Sequence, residues 1–235
     1  MSLPDVVSRD EWLAARGKLL AEEKALTRQH DKVNADRRRL PMVRVDKEYV
    51  FEGPEGKVSL AGLFAGQRQL IVQHVMFGPD WAAPCPSCSL SIRQTPAALL
   101  EGLRNRETAF VFTSLAPYEK IAAAMAERGW DIPWYSAYGS DFNYDYNVSF
   151  DSSRGESSYN YASDPEADGE AGGVSCFLRE GDDVYHTYSA YARGTEYVAT
   201  GFTYLDFTVL GRQEAWEEPK GRADTEHAAT GSLNG

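Results

Sequence analysis

The sequence predicts an α/β fold in which buried strands alternate with covering helices. Leu70 to Phe77 and Thr108 to Leu115 are mostly apolar runs of strand length, which is typical of strands buried on both faces of a sheet. Each run is followed by a segment with apolar residues at helical spacing, at 88–103 and 118–128. This alternation implies parallel strands with helices packed on the faces of the sheet.

A long helix is predicted ahead of these elements. Ser8 and Glu11 have the spacing of a capping box, and Asp10 to Arg37 carries a thin apolar stripe among charged residues. Residues 9–39 hold nine basic and six acidic side chains, so this segment has a net charge of +3. Because the whole chain has a net charge of −11, the remaining residues carry −14. We expect a solvated helix that packs on the domain or on a twin subunit. In the second case the apolar stripe would form part of a homodimer interface. The alternative is a recognition arm.

Further elements complete the predicted topology. They are a hairpin from Met42–Phe51 and 57–60, a third strand at Ile132–Tyr138, a second hairpin from Val174–Arg179 and Val184–Tyr188, and a final helix at Gly194–Leu210. The order is that of a thioredoxin-like three-layer α/β/α fold. It adds an N-terminal β-hairpin, a peroxiredoxin-like start, and an N-terminal helical arm.

Three regions follow from this organisation. We predict a helical arm over 1–40, a thioredoxin-like domain over 41–212 and a charged tail over 213–235. The stretch 140–173 is rich in Tyr, Ser and Asp and has no lysine, and 151–173 is predicted to be a long loop. Loops of that length inside a compact domain are usually functional or disordered.

Composition limits the partners. A net charge of −11 on 235 residues argues against nucleic acid, which requires a basic face. No stretch approaches the roughly 20 apolar residues of a membrane helix. Met1 to Trp12 has neither the basic region nor the apolar region of a secretory signal. We therefore expect a cytoplasmic protein with no membrane or nucleic-acid partner.

The chemistry is predicted at Cys85-Pro86-Ser87-Cys88, where a strand leads into a helix. Unpaired N–H groups at a helix N-terminus stabilise an anion and lower the pKa of the first thiol. Proline suits the first helical turn, where its missing N–H costs nothing. We therefore assign Cys85 as the attacking thiolate and Cys88 as the resolving thiol of a thiol-disulfide oxidoreductase.

We expect the substrate to be a protein or small-molecule disulfide, with no cofactor. Trp81 and Pro86 are the candidate substrate-binding residues, since Trp81 could shield the dithiol and present a docking surface; alternatively, Trp81 belongs to the core. The six tyrosines of the segment 135–161 could line a substrate groove or pack over the sheet.

Other functions remain open on sequence grounds. A zinc site usually needs four ligands in close pairs, and only His74, His186 and Cys176 are available beside the motif, so we expect no metal. The alternative is a metal-binding thioredoxin-fold protein that uses the two thiolates with His74 or His186. His74 is either a hydrogen-bonded core histidine or a proton acceptor near Cys85, and Cys176 resembles a buried apolar residue. A non-catalytic binding module would use the tyrosine-rich loop and leave the cysteines idle.

A thiol peroxidase would use Cys85 on a hydroperoxide, with Cys88 resolving. Peroxiredoxins place a hydroxyl residue before their cysteine, where this chain has Ala83, and an arginine at a later strand, where it has Gly172-Gly173. Thioredoxins place a cis-proline before that same strand. This chain has no proline there, so we expect its substrate to dock differently. Without the hydroxyl and the cation, developing charge on a peroxide oxygen lacks its usual support.

The chain also resembles a known family over about Asp10 to Glu214. The segments that carry the resemblance are Arg38–Val43, Tyr49–Gly53, Met76–Trp81, Cys85–Cys88, Tyr188–Gly194 and Leu210–Glu214. They are similar to the bacterial domain-of-unknown-function family 899, described as predicted dithiol-disulfide oxidoreductases with a thioredoxin-like fold. The resemblance implies that fold and makes Cys85 and Cys88 the redox pair.

Overall fold

The computed structural model describes residues 3–155, 157–163, 168–198, 200–210 and 218. The helices are α1 (Arg9–Arg37), α2 (Leu60–Leu63), α3 (Pro86–Arg93), α4 (Ala97–Arg104), α5 (Tyr118–Arg128), α6 (Phe142–Asp145) and α7 (Thr200–Leu205). The first strands are β1 (Val43–Arg44), β2 (Val50–Gly53), β3 (Gly56–Ser59), β4 (Gln69–His74), β5 (Thr108–Ser114) and β6 (Trp134–Ser136). The others are β7 (Ser149–Phe150), β8 (Ser158–Tyr159), β9 (Ala162–Ser163), β10 (Gly169–Glu170), β11 (Gly173–Glu180) and β12 (Asp183–Tyr191).

The main sheet has eight strands in the order β1-β12-β11-β4-β5-β6-β2-β3. Its centre is the thioredoxin-like arrangement: β4 and β5 are parallel, and β11 runs antiparallel to both β4 and β12. The predicted hairpin β2–β3 forms and lies at one edge, where β2 pairs with β6. The predicted fold class is therefore confirmed.

One predicted strand is divided. The segment Met42–Phe51 gives β1, which pairs with β12 at one edge, and β2, which lies near the other edge. Polar residues make the crossing, and Lys47 forms ion pairs with Asp141 and Asp145 at 2.8 and 2.7 Å. Loose alternation indicates extended backbone but not which neighbour it pairs with, so this crossing was not predictable.

Two predicted helices are also interrupted. The segment 88–103 divides into α3 and α4 because Pro96 lacks an N–H and disfavours a helical conformation in the residue before it. The predicted final helix, Gly194–Leu210, is shorter: a 3-10 segment over Ala192–Val198 precedes α7. The side chains of Tyr197, Val198 and Phe202, on which that prediction depended, lie outside the described part.

The other predicted elements form. The capping box of α1 has the Ser8 and Glu11 side chains each bonded to the other residue's N–H. Helix α5 ends at Gly129, whose φ of 64° is the left-handed conformation that favours glycine. The stretch 140–173 is not all loop, because it contains α6 and the short strands β7 to β10. Of the predicted tail, the structure describes Glu218 only, and the domain boundaries stay a prediction.

A separate hydrophobic core packs against each face of the main sheet. On the first face, Val72 of β4 and Phe142 of α6 belong to a core with Phe51, Leu63 and other apolar residues. On the second face, Phe112, Ile92 and Trp134 pack with both cysteines of the motif. Among the described residues, no helix is both long enough and apolar enough to cross a bilayer.

A chain of buried polar side chains crosses the first face. The imidazole of His74 lies 3.3 Å from the Thr113 hydroxyl and 2.9 Å from the Ser175 hydroxyl. The Ser175 and Ser189 hydroxyls are 2.9 Å apart, and His186 Nε2 lies 2.8 Å from Ser189 Oγ. We call this set the serine–histidine chain. Burial, with a smaller contribution from His186, lowers the pKa of His74 to about 3.

The His74 environment predicts an acid-sensitive stability. Because its folded pKa lies below the usual value near 6.5, the unfolded chain binds the extra proton as pH falls from about 6.5 towards 3, and stability is lost in that window. Between pH 7 and 5 we expect wild type to lose about 2 kcal/mol more than His74→Gln. Urea unfolding at both pH values measures this, and parallel losses in the two proteins would contradict it.

Candidate active site

Strand β4 leads into a turn that places Cys85 at the start of α3. The Cys85 N–H donates to the Met76 carbonyl at 3.0 Å, which fixes the end of the turn beside the strand. Cys85 is the N-cap of α3, with Pro86 at the first helical position. The Ser89 N–H and hydroxyl donate to the Cys85 carbonyl at 2.9 and 3.0 Å. The strand-to-helix placement predicted for the motif is therefore present.

The turn before Cys85 is held by a lysine and an aromatic ring. Lys120 of α5 donates from Nζ to the carbonyls of Pro79 and Trp81. A Cβ on Gly78 would meet the Trp81 indole at 3.0 Å, so the ring packs directly over this glycine. Trp81 remains 37% exposed, and Pro86 is exposed. Both residues therefore lie on the surface, Pro86 next to Cys85 in the chain, and Trp81 is not a core residue.

The two thiols are reduced and chemically different. A hydrogen bond from the Cys88 side chain is the largest cause that holds the pKa of Cys85 well below its usual range. The Ser87 hydroxyl, 3.1 Å from Cys85 Sγ, and the N–H groups of Ser87 and Cys88 act in the same direction, while burial opposes them. The same thiol-thiol bond, burial and the charge of Cys85 raise the pKa of Cys88. At neutral pH, Cys85 is thus the thiolate and Cys88 keeps its proton.

Both sulfurs are shielded from solvent. Cys85 is 7% exposed and Cys88 is 9% exposed, and both pack in the second core. A buried anion is stable only when several donors satisfy it. The donors around Cys85 meet that condition, so the Cys85 thiolate is stabilised although it is shielded from solvent.

Tyr159, from the tyrosine-rich segment, links two parts of the chain near the dithiol. Its hydroxyl donates to the Gly172 carbonyl and accepts from the Ala192 N–H, both at 3.0 Å. Gly172 immediately precedes β11, whose Gly173 is opposite His74, so it lies level with the end of β4. Burial raises the pKa of Tyr159, the hydrogen bond from the Ala192 N–H opposes this, and a deprotonated Cys88 would add to the rise, which indicates that the phenol lies near the dithiol. The Tyr159 hydroxyl therefore connects the residue before β11, Gly172, to the residue after β12, Ala192.

Glycine is required where β11 begins. A Cβ on Gly173 would lie 2.9 Å from the Tyr191 ring and 3.1 Å from Val148. The absence of a side chain at Gly173 thus lets the Tyr191 ring pack against the start of β11.

The other candidates lie elsewhere. His74 packs against Phe142 in the first core, on the face of the sheet opposite to the cysteines, so it is a hydrogen-bonded core histidine. His186 belongs to the serine–histidine chain. Together with Ser189, it lines a cavity of about 540 Å³ along β12. Burial raises the pKa of Cys176 to about 11. Within the described part of the chain, no cluster of three or more His, Cys, Asp or Glu side chains could hold a metal.

Two residues of this site were not singled out from the sequence. Ser87 could have been predicted from the sequence, because a hydroxyl two residues after the N-cap Cys85 can reach the Cys85 sulfur. Tyr159 was named only as one of six tyrosines, and nothing in its spacing distinguishes it from the others.

The fold and the site define a thioredoxin-like protein with a reduced Cys-x-x-Cys dithiol at a helix N-terminus. A family model described as "Bacterial protein of unknown function (DUF899)" matches residues 1–228. The chain belongs to that family, which confirms the resemblance seen in the sequence. No curated protein matches the sequence significantly.

Several solved structures are similar at a lower level. Peroxiredoxin Q of Xanthomonas campestris, in a cysteine-to-serine variant, is 14% identical with a TM-score of 0.41, covering 68% of this chain and 91% of its own. A putative protein disulfide isomerase of Bacteroides thetaiotaomicron is 14% identical with a TM-score of 0.40, covering 70% and 91%. A hypothetical protein of Sinorhizobium meliloti is 17% identical with a TM-score of 0.38, covering 63% and 70%. Similarity at this level does not transfer an activity.

The Ser87 hydroxyl gives a first prediction for the site. Ser87→Ala removes one donor to the Cys85 sulfur, and we expect the pKa of Cys85 to rise by roughly one unit, since hydrogen bonds to charged groups contribute about 1.5–3 kcal/mol. The pH dependence of Cys85 alkylation measures this. Ser89→Ala is the matched control because Ser89 bonds the Cys85 carbonyl instead. Equal effects of the two substitutions would contradict the assignment.

The Tyr159 hydroxyl gives a second prediction. Tyr159→Phe keeps the ring but leaves the Gly172 carbonyl and the Ala192 N–H unpaired, which costs about 1–3 kcal/mol when such groups are buried. We expect lower stability in urea and faster alkylation of Cys88. Tyr161→Phe, which removes a hydroxyl bonded to the Ser189 carbonyl from a 76% exposed residue, is the control. An unchanged Cys88 rate in Tyr159→Phe would show that Tyr159 does not cover the dithiol.

Proposed function

We propose that this protein is a thiol-disulfide oxidoreductase, with Cys85 as the attacking thiolate and Cys88 as the resolving thiol. The observation that carries the proposal is the asymmetry of the pair: a stabilised Cys85 thiolate accepts a hydrogen bond from a Cys88 thiol of raised pKa. Lone buried cysteines do not show this arrangement, because burial alone raises the pKa, as it does at Cys176.

The reaction follows from the two protonation states. The Cys85 thiolate attacks one sulfur of a substrate disulfide, forms a mixed disulfide and releases the other substrate sulfur as a thiolate. That thiolate is a base that can take the Cys88 proton. Cys88, now a thiolate, attacks the Cys85 sulfur and expels the second substrate thiolate. The substrate gains two electrons, the protein keeps a Cys85–Cys88 disulfide, and a dithiol donor restores the starting state.

The surface around the dithiol supports a disulfide substrate. Exposed Trp81 and Pro86 flank the buried sulfurs and offer an apolar contact for a protein or small-molecule disulfide. The Lys120 contacts hold the Trp81 backbone in place, so this surface is ordered before a substrate binds. The mechanism requires no cofactor, and the acidic composition is consistent with a cytoplasmic protein that binds neither membrane nor nucleic acid.

The proposal predicts a reversible two-electron transition of the Cys85–Cys88 pair. In a glutathione redox series, alkylated protein analysed by mass spectrometry should show a midpoint between about −120 and −300 mV. Cys85→Ser should abolish the transition and Cys88→Ser should accumulate a mixed disulfide on Cys85. Cys176→Ser is the control and should leave the midpoint unchanged. Thiols that never form the bridge across this range would eliminate the proposal.

A thiol peroxidase is the second candidate. The observation that favours it is the Ser87 hydroxyl, 3.1 Å from Cys85 Sγ, which supplies from the helix side the hydroxyl that Ala83 does not provide from the loop. In that reaction, Cys85 would be oxidised to a sulfenic acid by a hydroperoxide, and Cys88 would condense with it to the same disulfide and release water. Hydroperoxide consumption coupled to a dithiol reductant distinguishes the two: turnover that depends on Cys85 would select the peroxidase.

A further inference from the structure

Helix α1 is a stable-looking element with almost nothing to stabilise it within one chain. It has 29 residues, about 44 Å at 1.5 Å per residue, and none of them is buried. A contact that ties it to the sheet lies at its C-terminal end, where the Arg37 guanidinium stacks 4.6 Å above the Tyr188 ring. Most helical stability in proteins comes from packing of an apolar face, so α1 lacks its principal source of stability.

The exposed apolar side chains of α1 form one seam. Trp12, Leu19, Leu26 and Val33 recur every seven residues and are 46, 51, 69 and 42% exposed. Seven residues are close to two helical turns, so these side chains lie along one face. Leu13 and Leu20 widen the seam near its beginning, and both are also exposed.

The apolar surface continues past the end of the helix. Leu40, Met42 and Val43 are each about half exposed or more, and Leu40 and Val43 line the 540 Å³ cavity along β12. An occupant that covers the seam can therefore also cover this part of the body.

Charge identifies the occupant. The arm, residues 9–39, carries a surplus of three positive charges, whereas the rest of the chain carries −14. A second copy of the chain therefore presents an acidic body to each basic arm, and a reciprocal arm-to-body contact satisfies a two-fold axis. An anionic membrane or a nucleic acid would repel that acidic body.

We propose that the α1 seam is a homodimer interface, in which Trp12, Leu19, Leu26 and Val33 pack against a second copy of this chain. The inference is independent of the proposed redox function, because no residue of the seam touches the dithiol. It assigns the arm a defined occupant, and it accounts for a long, capped helix that does not pack on its own sheet.

The test compares two double variants of the full chain by sedimentation equilibrium. Leu19→Glu with Leu26→Glu places two carboxylates on the seam. Ala21→Glu with Ala25→Glu adds the same charge to α1 at exposed positions outside the seam. We expect a two-chain mass for the wild type and the control, and self-association weakened by roughly 100-fold or more in the seam variant.

Two results would overturn the proposal. A single-chain mass for the wild type across the micromolar range would show that α1 is covered by something other than a second copy. A seam variant that keeps the wild-type mass would show that the dimer forms elsewhere. Urea unfolding of the seam variant, followed by circular dichroism, shows whether the domain is still folded, and this readout does not depend on the chemistry of the dithiol.

Discussion

The hydrogen bond from the Cys85 N–H to the Met76 carbonyl is the contact on which the site depends. It ties the first residue of α3 to the chain leaving β4, so the helix begins beside the sheet and not out in solvent. The N-cap of α3 has no side-chain oxygen to accept from the first N–H groups, and the Cys85 sulfur takes up this role as an anion. The lowered pKa of Cys85 is thus in part a consequence of how a buried strand is joined to a helix. Cys88 lies one turn further on, and its thiol points back to the same sulfur.

Burial and donation oppose each other at this pair. Burial alone would keep both thiols protonated, as the raised pKa of Cys176 shows. Donors from Ser87, Cys88 and two backbone N–H groups reverse the effect at Cys85 only. Because the Cys88 thiol is itself one of those donors, loss of its proton would remove support from the Cys85 anion. The pair therefore holds one proton between two sulfurs, and the position of that proton distinguishes the Cys85 anion from the Cys88 thiol.

Sequence reasoning predicted the parts of the structure that depend on local chemistry. The capping box, the Gly129 end of α5, the hairpins and the C-x-x-C helix start all follow from residues within one or two turns of each other. It missed what depends on distant contacts, such as the crossing from β1 to β2 and the selection of Tyr159 from six tyrosines. The division of the helix at Pro96 was predictable, since proline restricts the residue before it, and the apolar spacing on both sides concealed it.

The serine–histidine chain has only two self-consistent hydrogen-bond arrangements. Each serine hydroxyl has one proton, so if His74 donates to Ser175, the protons point towards His186; if His186 donates to Ser189, they all point the other way. Both arrangements leave the imidazoles neutral. The tautomer of the half-buried His186, at the wall of the cavity, is therefore locked to the tautomer of His74 in the core. A group that binds in the cavity and changes the tautomer of His186 would therefore also reorient the hydroxyl protons of Ser189 and Ser175, as far as His74 in the core.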